Sequence, residues 1–159
     1  MAWSPPRSWQ PGEIPTAEMF NAHIRDNLAF LKDPPTLVYT SFNSISTSST
    51  TFTSMGFNWA FQNAGGRLMI GMSGGGYYPA GSTPPNNGRI DFSIDGTQIG
   101  STVYGAYAVP FNAVGSVPFS FVFLTEPYAA GTHTIVPLFK TENSSFSIVW
   151  HHLWIREVS

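Results

Sequence analysis

The chain has 159 residues, enough for one ordinary domain with a short appendage, and a domain of that size needs no disulfide or metal staple. Charged residues make up 10% of it and the formal net charge is −2, which excludes the clustered basic footprint of a nucleic-acid binder. It contains no cysteine, so thiol nucleophiles, thiolate metal sites and redox motifs are excluded together, while the redox compartment stays open.

Residues 1–15 carry Trp3, Pro5, Pro6, Trp9 and Pro11. Proline removes helical options, so the segment reads as an extended arm with two large apolar anchors, Trp3 and Trp9. It lacks the apolar core of a signal peptide, and no later run approaches the roughly 20 apolar residues of a membrane span.

Residues 16–32 are the one helix signal. Thr16 is the expected N-cap, Glu18 suits the positive helix start and Lys32 the negative end, and Pro34 and Pro35 stop the run. Ala17, Phe20, Ile24, Asn27 and Leu31 are spaced 3-4-3-4, a heptad seam two repeats long that predicts self-association. Asn27 on that seam would set register and copy number, with Arg25 and Asp26 as a solvated or intersubunit ion-pairing face.

From residue 36 onward, short runs of Val, Ile, Phe, Thr and Tyr alternate with Gly, Pro, Asn and Ser punctuation. Strands are expected near 36–43, 50–59, 66–73, 88–95, 97–104, 117–125, 131–140 and 145–157. The clearest is Arg89–Ile94, where Ile90, Phe92 and Ile94 share a face; Asp95-Gly96 follows as a hairpin turn. About eight strands with no helices between them predict an all-β, antiparallel sandwich, best a jelly roll. The domain boundary falls after residue 35: an arm and helix over 1–35, a β head over 36–159.

Two strands are apolar on both faces. Phe146, Ile148, Trp150 and Trp154 alternate with Val149, Leu153 and Ile155, and Phe119 and Phe121 sit in an equally apolar run, Val117–Leu124. A sheet with one solvated face does not need this, so Phe119, Phe121, Trp150, His152 and Trp154 are expected, with the helix seam, to contact another subunit.

Candidate chemistry is sparse. His151 and His152 would point to opposite faces of a strand and cannot share a metal; His152 reads as a packed, hydrogen-bonded residue between Trp150 and Trp154. Asp95 is a turn residue and Asp91 a solvated outward one. Residues 73–88 read as a long polar insertion. Its Gly74-Gly75-Gly76 lacks the Lys-Ser/Thr and the helix of a phosphate loop. Tyr77, Tyr78, Asn86 and Asn87 in it are either a sugar- or partner-binding set or plain loop surface. No catalytic residue, metal site or cofactor is expected.

The block Trp9-Gln-Pro-Gly-Glu-Ile-Pro-Thr-Ala-Glu-Met-Phe-Asn-Ala-His-Ile-Arg-Asp-Asn-Leu-Ala-Phe-Leu-Lys32 resembles the N-terminal segment of many tailed-bacteriophage and prophage virion proteins. Gly65–Ile70, Ile90–Gly96, Ala129–Ile135 and Leu153–Glu157 look like a C1q/TNF-like jelly-roll head on phage fibres. These resemblances imply a virion-surface homotrimer, assembled in the host cytoplasm and released by lysis. Trp3 and Trp9 would then anchor it to other virion proteins, and the head would face outward, its loops offered to a host-surface glycan. A tail-fibre knob and a capsid decoration both remain open, with a polysaccharide-degrading enzyme behind them; neither nucleic acid nor membrane insertion is implied.

Overall fold

The computed structural model describes residues 7–34, 36–82, 86–110 and 114–158. The helical run comprises α1 (Ala17–Phe20), a π-helical stretch (Asn21–Arg25) and α2 (Asp26–Lys32). Thr16 caps it as expected: its hydroxyl accepts from the Met19 amide at 3.2 Å, and the Met19 sulfur accepts from the Thr16 amide at 3.5 Å. The π-helical stretch is not visible in the heptad spacing, and it changes which side of the helix faces inward. Each i→i+5 turn holds more residues than an α-turn, so the seam loses phase across it. Asn27 and Phe30 are buried, while Phe20, Ile24, Leu28 and Leu31 stay exposed. Asn27 therefore does not sit on the exposed seam, and one of its amide hydrogens is given to the His23 carbonyl at 3.3 Å. Trp9 leans on the seam's first aromatic, Phe20, with ring centroids 6.1 Å apart. Trp3 lies outside the described residues.

Eleven strands follow among the described residues: β1 (Thr36–Ser41), β2 (Ile45–Thr47), β3 (Thr53–Ser54), β4 (Trp59–Asn63), β5 (Arg67–Tyr78), β6 (Gly88–Ile94), β7 (Thr97–Gln98), β8 (Tyr107–Val109), β9 (Gly115–Leu124), β10 (Gly131–Thr141) and β11 (Phe146–Val158). They form two antiparallel sheets. The first runs β1-β11-β5-β9 with β2 also on β11; the second runs β3-β10-β6-β7 with β4 on β10 and β8 on β6. The chain changes sheet after β2, β4, β5, β8, β9 and β10, so sequence neighbours interleave across the sandwich as in a jelly roll. Ile70, Met72, Phe146, Ile148, Leu153 and Ile155 of the first sheet meet Ile90, Phe92, Ile94, Ile135 and Phe139 of the second.

Three expectations are corrected. The strand expected over 50–59 is two short ones, β3 and β4, and that over 97–104 is a strand only at Thr97–Gln98, with a single bridge from Ser101 to Gly105 beyond it. The expected polar insertion is half strand: β5 continues through the glycine triplet to Tyr78, paired on both sides by β11 and β9. The glycines are there because rings lie against them. A Cβ at Gly74 would stand 2.7 Å from Phe119 Cζ and one at Gly76 2.9 Å from Phe146 Cε2, both inside; at Gly71 and Gly75 it would meet the Trp154 and Trp150 indoles at 2.1 and 2.6 Å, outside.

The third concerns the doubly apolar strand. The register of β11 against β5 slips between Ile148 and Trp150. That bulge reverses the alternation, so Phe146 and Ile148 point into the core with Leu153 and Ile155, while Trp150, His152 and Trp154 point out.

Candidate assembly surface

The outer face of the first sheet is built in rows by strand register. Thr36, Arg156, Met69 and Leu124 form one row, and Val38, Trp154, Gly71 and Val122 the next. Thr40, His152, Ser73 and Ser120 make a polar row, after which come Trp150, Gly75 and Pro118. Each indole lies across the glycine beside it, which flattens the face. Val38 is 62% exposed, Val122 59%, Leu124 47% and Trp150 40%. Arg156 is the one charged residue in these rows, and His152 is held to the Thr40 hydroxyl at 2.7 Å from Nδ1. Towards the helix, Phe30, Leu31 and Pro34 form a notch of about 270 Å³ with Met69, Trp154, Arg156 and Val158. Through that notch the apolar sheet face is continuous with the exposed helix seam.

The opposite sheet closes its own outer face. Asp91 was expected to be solvated, but it is fully buried under the segment 99–106. Its Oδ1 accepts from the Phe92 amide at 2.8 Å and the Gly100 amide at 3.0 Å, and Oδ2 accepts from the Gln98 side chain at 2.6 Å. Burial pushes the Asp91 carboxyl above its ordinary range despite these bonds. The segment returns to the sheet at Gly105, whose φ of +69° and whose approach to Ile90 O leave no room for a side chain.

Of the expected subunit contacts, Trp150, His152 and Trp154 lie on the outer face, and Ala17, Phe20, Ile24 and Leu31 on the exposed side of the helix. Phe119 and Phe121 do not join them. They have the inward parity of β9, and Phe121 stacks on Tyr107 with centroids 4.7 Å apart and planes at 4°. The outward residues of that strand, Val122 and Leu124, belong to the surface instead. On β9 the alternation puts the aromatics inward and the smaller Pro118, Val122 and Leu124 outward.

The proposed loop quartet is not brought together as an exposed site. On a strand Tyr77 and Tyr78 point to opposite faces. Tyr77 is partly exposed, whereas Tyr78 is in the core, its hydroxyl donating to Val109 O and accepting from the Gly88 amide at 2.7 Å. Asn86 is buried, its Oδ1 accepting from Thr141 Oγ1 at 2.7 Å and its Nδ2 donating to Ser144 Oγ at 2.5 Å. Asn87 gives its side-chain amide to Glu142 at 2.8 Å, and Glu142 also pairs with Arg89. These residues fasten the start of β6 to the turn after β10.

Titratable groups are placed structurally. His151 is buried, stacked on Phe57 with centroids 5.0 Å apart and planes at 10°, and neither ring nitrogen has a hydrogen-bond partner among the described residues. Burial lowers its pKa. His133 and Asp95 form an ion pair at 2.7 Å. The described residues contain no group of three or more His, Asp or Glu able to hold a metal, and no helix long and apolar enough to cross a membrane.

No protein-family model and no curated protein matches the chain. Among solved structures it is similar to two described as a pentameric capsid protein from metagenomic phage sequences. One has 16% identity over 78% of this chain and 61% of the other, the second 15% over 79% and 66%, each with a TM-score of 0.30. The chain spans less than two-thirds of the length of both.

Proposed function

We propose that the protein is a non-enzymatic structural component of a bacteriophage virion, a homotrimer whose residues 1–35 join it to the particle and whose jelly-roll head, 36–159, stands on the surface. The observation that carries this reading is the continuous apolar surface running from Phe20, Ile24 and Leu31 through the notch to Trp154, Val38 and Val122. A monomer rarely leaves so much connected apolar area to water, and subunit association covers it. The N-terminal block quoted above supplies the virion assignment, and Trp9 is the described part of the anchor.

Catalysis is not part of this reading, because Asp91, Asp95, His133 and Glu142 are engaged in holding loops and His151 is packed in the core against Phe57. Nor is glycan attachment through Tyr77, Tyr78, Asn86 and Asn87, since Tyr78 and Asn86 are buried. A capsid decoration would use the same assembly surface and is the second reading.

Sedimentation of the full chain tests the assembly: a species of three chains is expected, and a monomer across the micromolar range removes the proposal. Ile24→Glu with Leu31→Glu is expected to lower the mass if the helix seam is buried in the trimer. Immunogold labelling of the virion separates the two readings, fibre tips against many copies over the capsid.

A further inference from the structure

His133 stands near the start of β10, where two connections meet. On one side is the β6–β7 turn, Asp95-Gly96, in which Asp95 takes φ +51° and Gly96 φ +81°. On the other is the connector from β9 to β10, which carries Tyr128 and Ala129. The Asp95 amide donates to Thr134 O at 2.9 Å and Asp95 Oδ1 accepts from the Thr134 amide at 2.7 Å, so the turn is already clamped to β10. His133 adds two bonds: Nδ1 to Asp95 Oδ2 at 2.7 Å and Nε2 to Ala129 O at 2.8 Å.

Both partners can only accept. A carboxylate and a backbone carbonyl offer no proton, so both ring nitrogens must donate, and a ring with two N–H groups is an imidazolium. We propose that His133 is a proton-operated latch: charged, it ties the β9–β10 connector to the β6–β7 turn, and on losing its proton it lets go of Ala129 while keeping the turn, leaving the connector on Asn63 and Gly66.

The order of release follows from the partners. A neutral imidazole has one N–H, and the charged acceptor holds it more strongly than the neutral one, so the proton stays on Nδ1 facing Asp95. Nε2 then presents a lone pair to Ala129 O at 2.8 Å, two acceptors in contact, so this tie opens and the connector is left on Asn63 Nδ2, which donates to Tyr128 O and Ala129 O, and on the Tyr128 amide bond to Gly66 O. That connector also walls an open cleft through Thr125, Glu126 and Tyr128, opposite Thr97, Gln98 and Ile99.

The surrounding charges favour the latched form. Asp95 faces the ring from the β6–β7 turn; from the connector comes Tyr128, with ring centroids 5.3 Å apart and planes at 65°, while the connector's Glu126 is paired with Arg67 at 3.3 Å. Phe61, opposite on β4, carries no charge. The hydrogen bond to Asp95, then that to Ala129, raises the His133 pKa, while the bond from His133, then that from the Thr134 amide, lowers that of Asp95. By linkage, a raised histidine pKa gives stability that is full below the unfolded value of about 6.5 and is lost as pH rises through the folded value.

The test is ¹⁵N-histidine NMR of the full chain, which has four imidazoles, with hydrogen exchange at the 128–131 amides. The expected result is a His133 ring protonated on both nitrogens at pH 7, with its midpoint above that of an exposed histidine. Across that midpoint, connector protection should fall about tenfold beyond the intrinsic pH effect. Asp95→Asn should move the midpoint down, and His133→Gln should remove the step. A neutral His133 ring at pH 7, or connector protection unchanged across the wild-type midpoint, overturns the proposal without need of either variant.

Discussion

The two sheets share one core but treat their outer faces in opposite ways. The six-stranded sheet closes its face with its own chain: segment 99–106 folds over it, pinned by the buried Asp91, and Arg89 and Lys140 lie over Tyr104 and Phe52 at 5.4 and 4.8 Å. Among the described residues, the five-stranded sheet has the end of α2 at one edge, and leaves two indoles, Val38, Val122 and Leu124 outward. A polar anchor under a loop makes a finished surface. A largely apolar face with two charged residues, Arg67 and Arg156, at one end makes an unfinished one, and a second subunit is the usual way to finish it.

The sharpest way to break the contrast is to unpin the closed face. Asp91→Ala leaves the Phe92 and Gly100 amides and Gln98 without their acceptor in a buried place, and should cost about 3 kcal/mol, seen as a lowered denaturant midpoint. Exchange at residues 99–106 should rise before any elsewhere. If that segment stays protected, Asp91 does not hold it.

Between the faces, His151 tests the shared core. Its neutral ring is favoured inside, so its contribution is fully present above the ordinary histidine value, near 6.5, and declines as pH falls from there through the depressed folded value. His151→Phe should abolish that acid-side decline and raise stability at pH 5 by about 1–2 kcal/mol, since the ring leaves two polar atoms unpartnered. Thermal melts at pH 5 and pH 8 decide it.

On the open face, Gly71→Ala forces the Trp154 indole off the sheet. The ring can swing outward, so the cost should be only about 1 kcal/mol, with a red shift in tryptophan emission. The smallest effect on the fold is expected from Val38→Glu with Val122→Glu. Both sites are exposed, so chain stability should change by less than about 0.5 kcal/mol. The same pair should dissociate the proposed trimer, and a trimer that survives it does not bury this face.

Much of the fold was legible because local chemistry dictates it. Thr16 caps the helix, Asp95-Gly96 turns the hairpin, and the alternation in Arg89–Ile94 assigns a face, all through contacts a few residues long. The glycine triplet looks like loop in the sequence because its cause is distant: the rings it seats, Phe119, Phe146 and Trp150, lie on two other strands. Tyr78 and Asn86 were misplaced for the same reason, their partners being Val109, Thr141 and Ser144.

The sequence by itself determined an all-β sandwich behind a capped helix and a surplus of apolar residues for one subunit to bury, since composition and period-two patterning answer to nearest neighbours. Which of those residues face water was decided only in three dimensions. A single bulge in β11 reverses the parity of Phe146 and Ile148, and a π-helical stretch turns Asn27 off the seam. One inserted residue moves every side chain beyond it to another face, and the energy that stabilises the insertion lies in packing against strands remote in the chain.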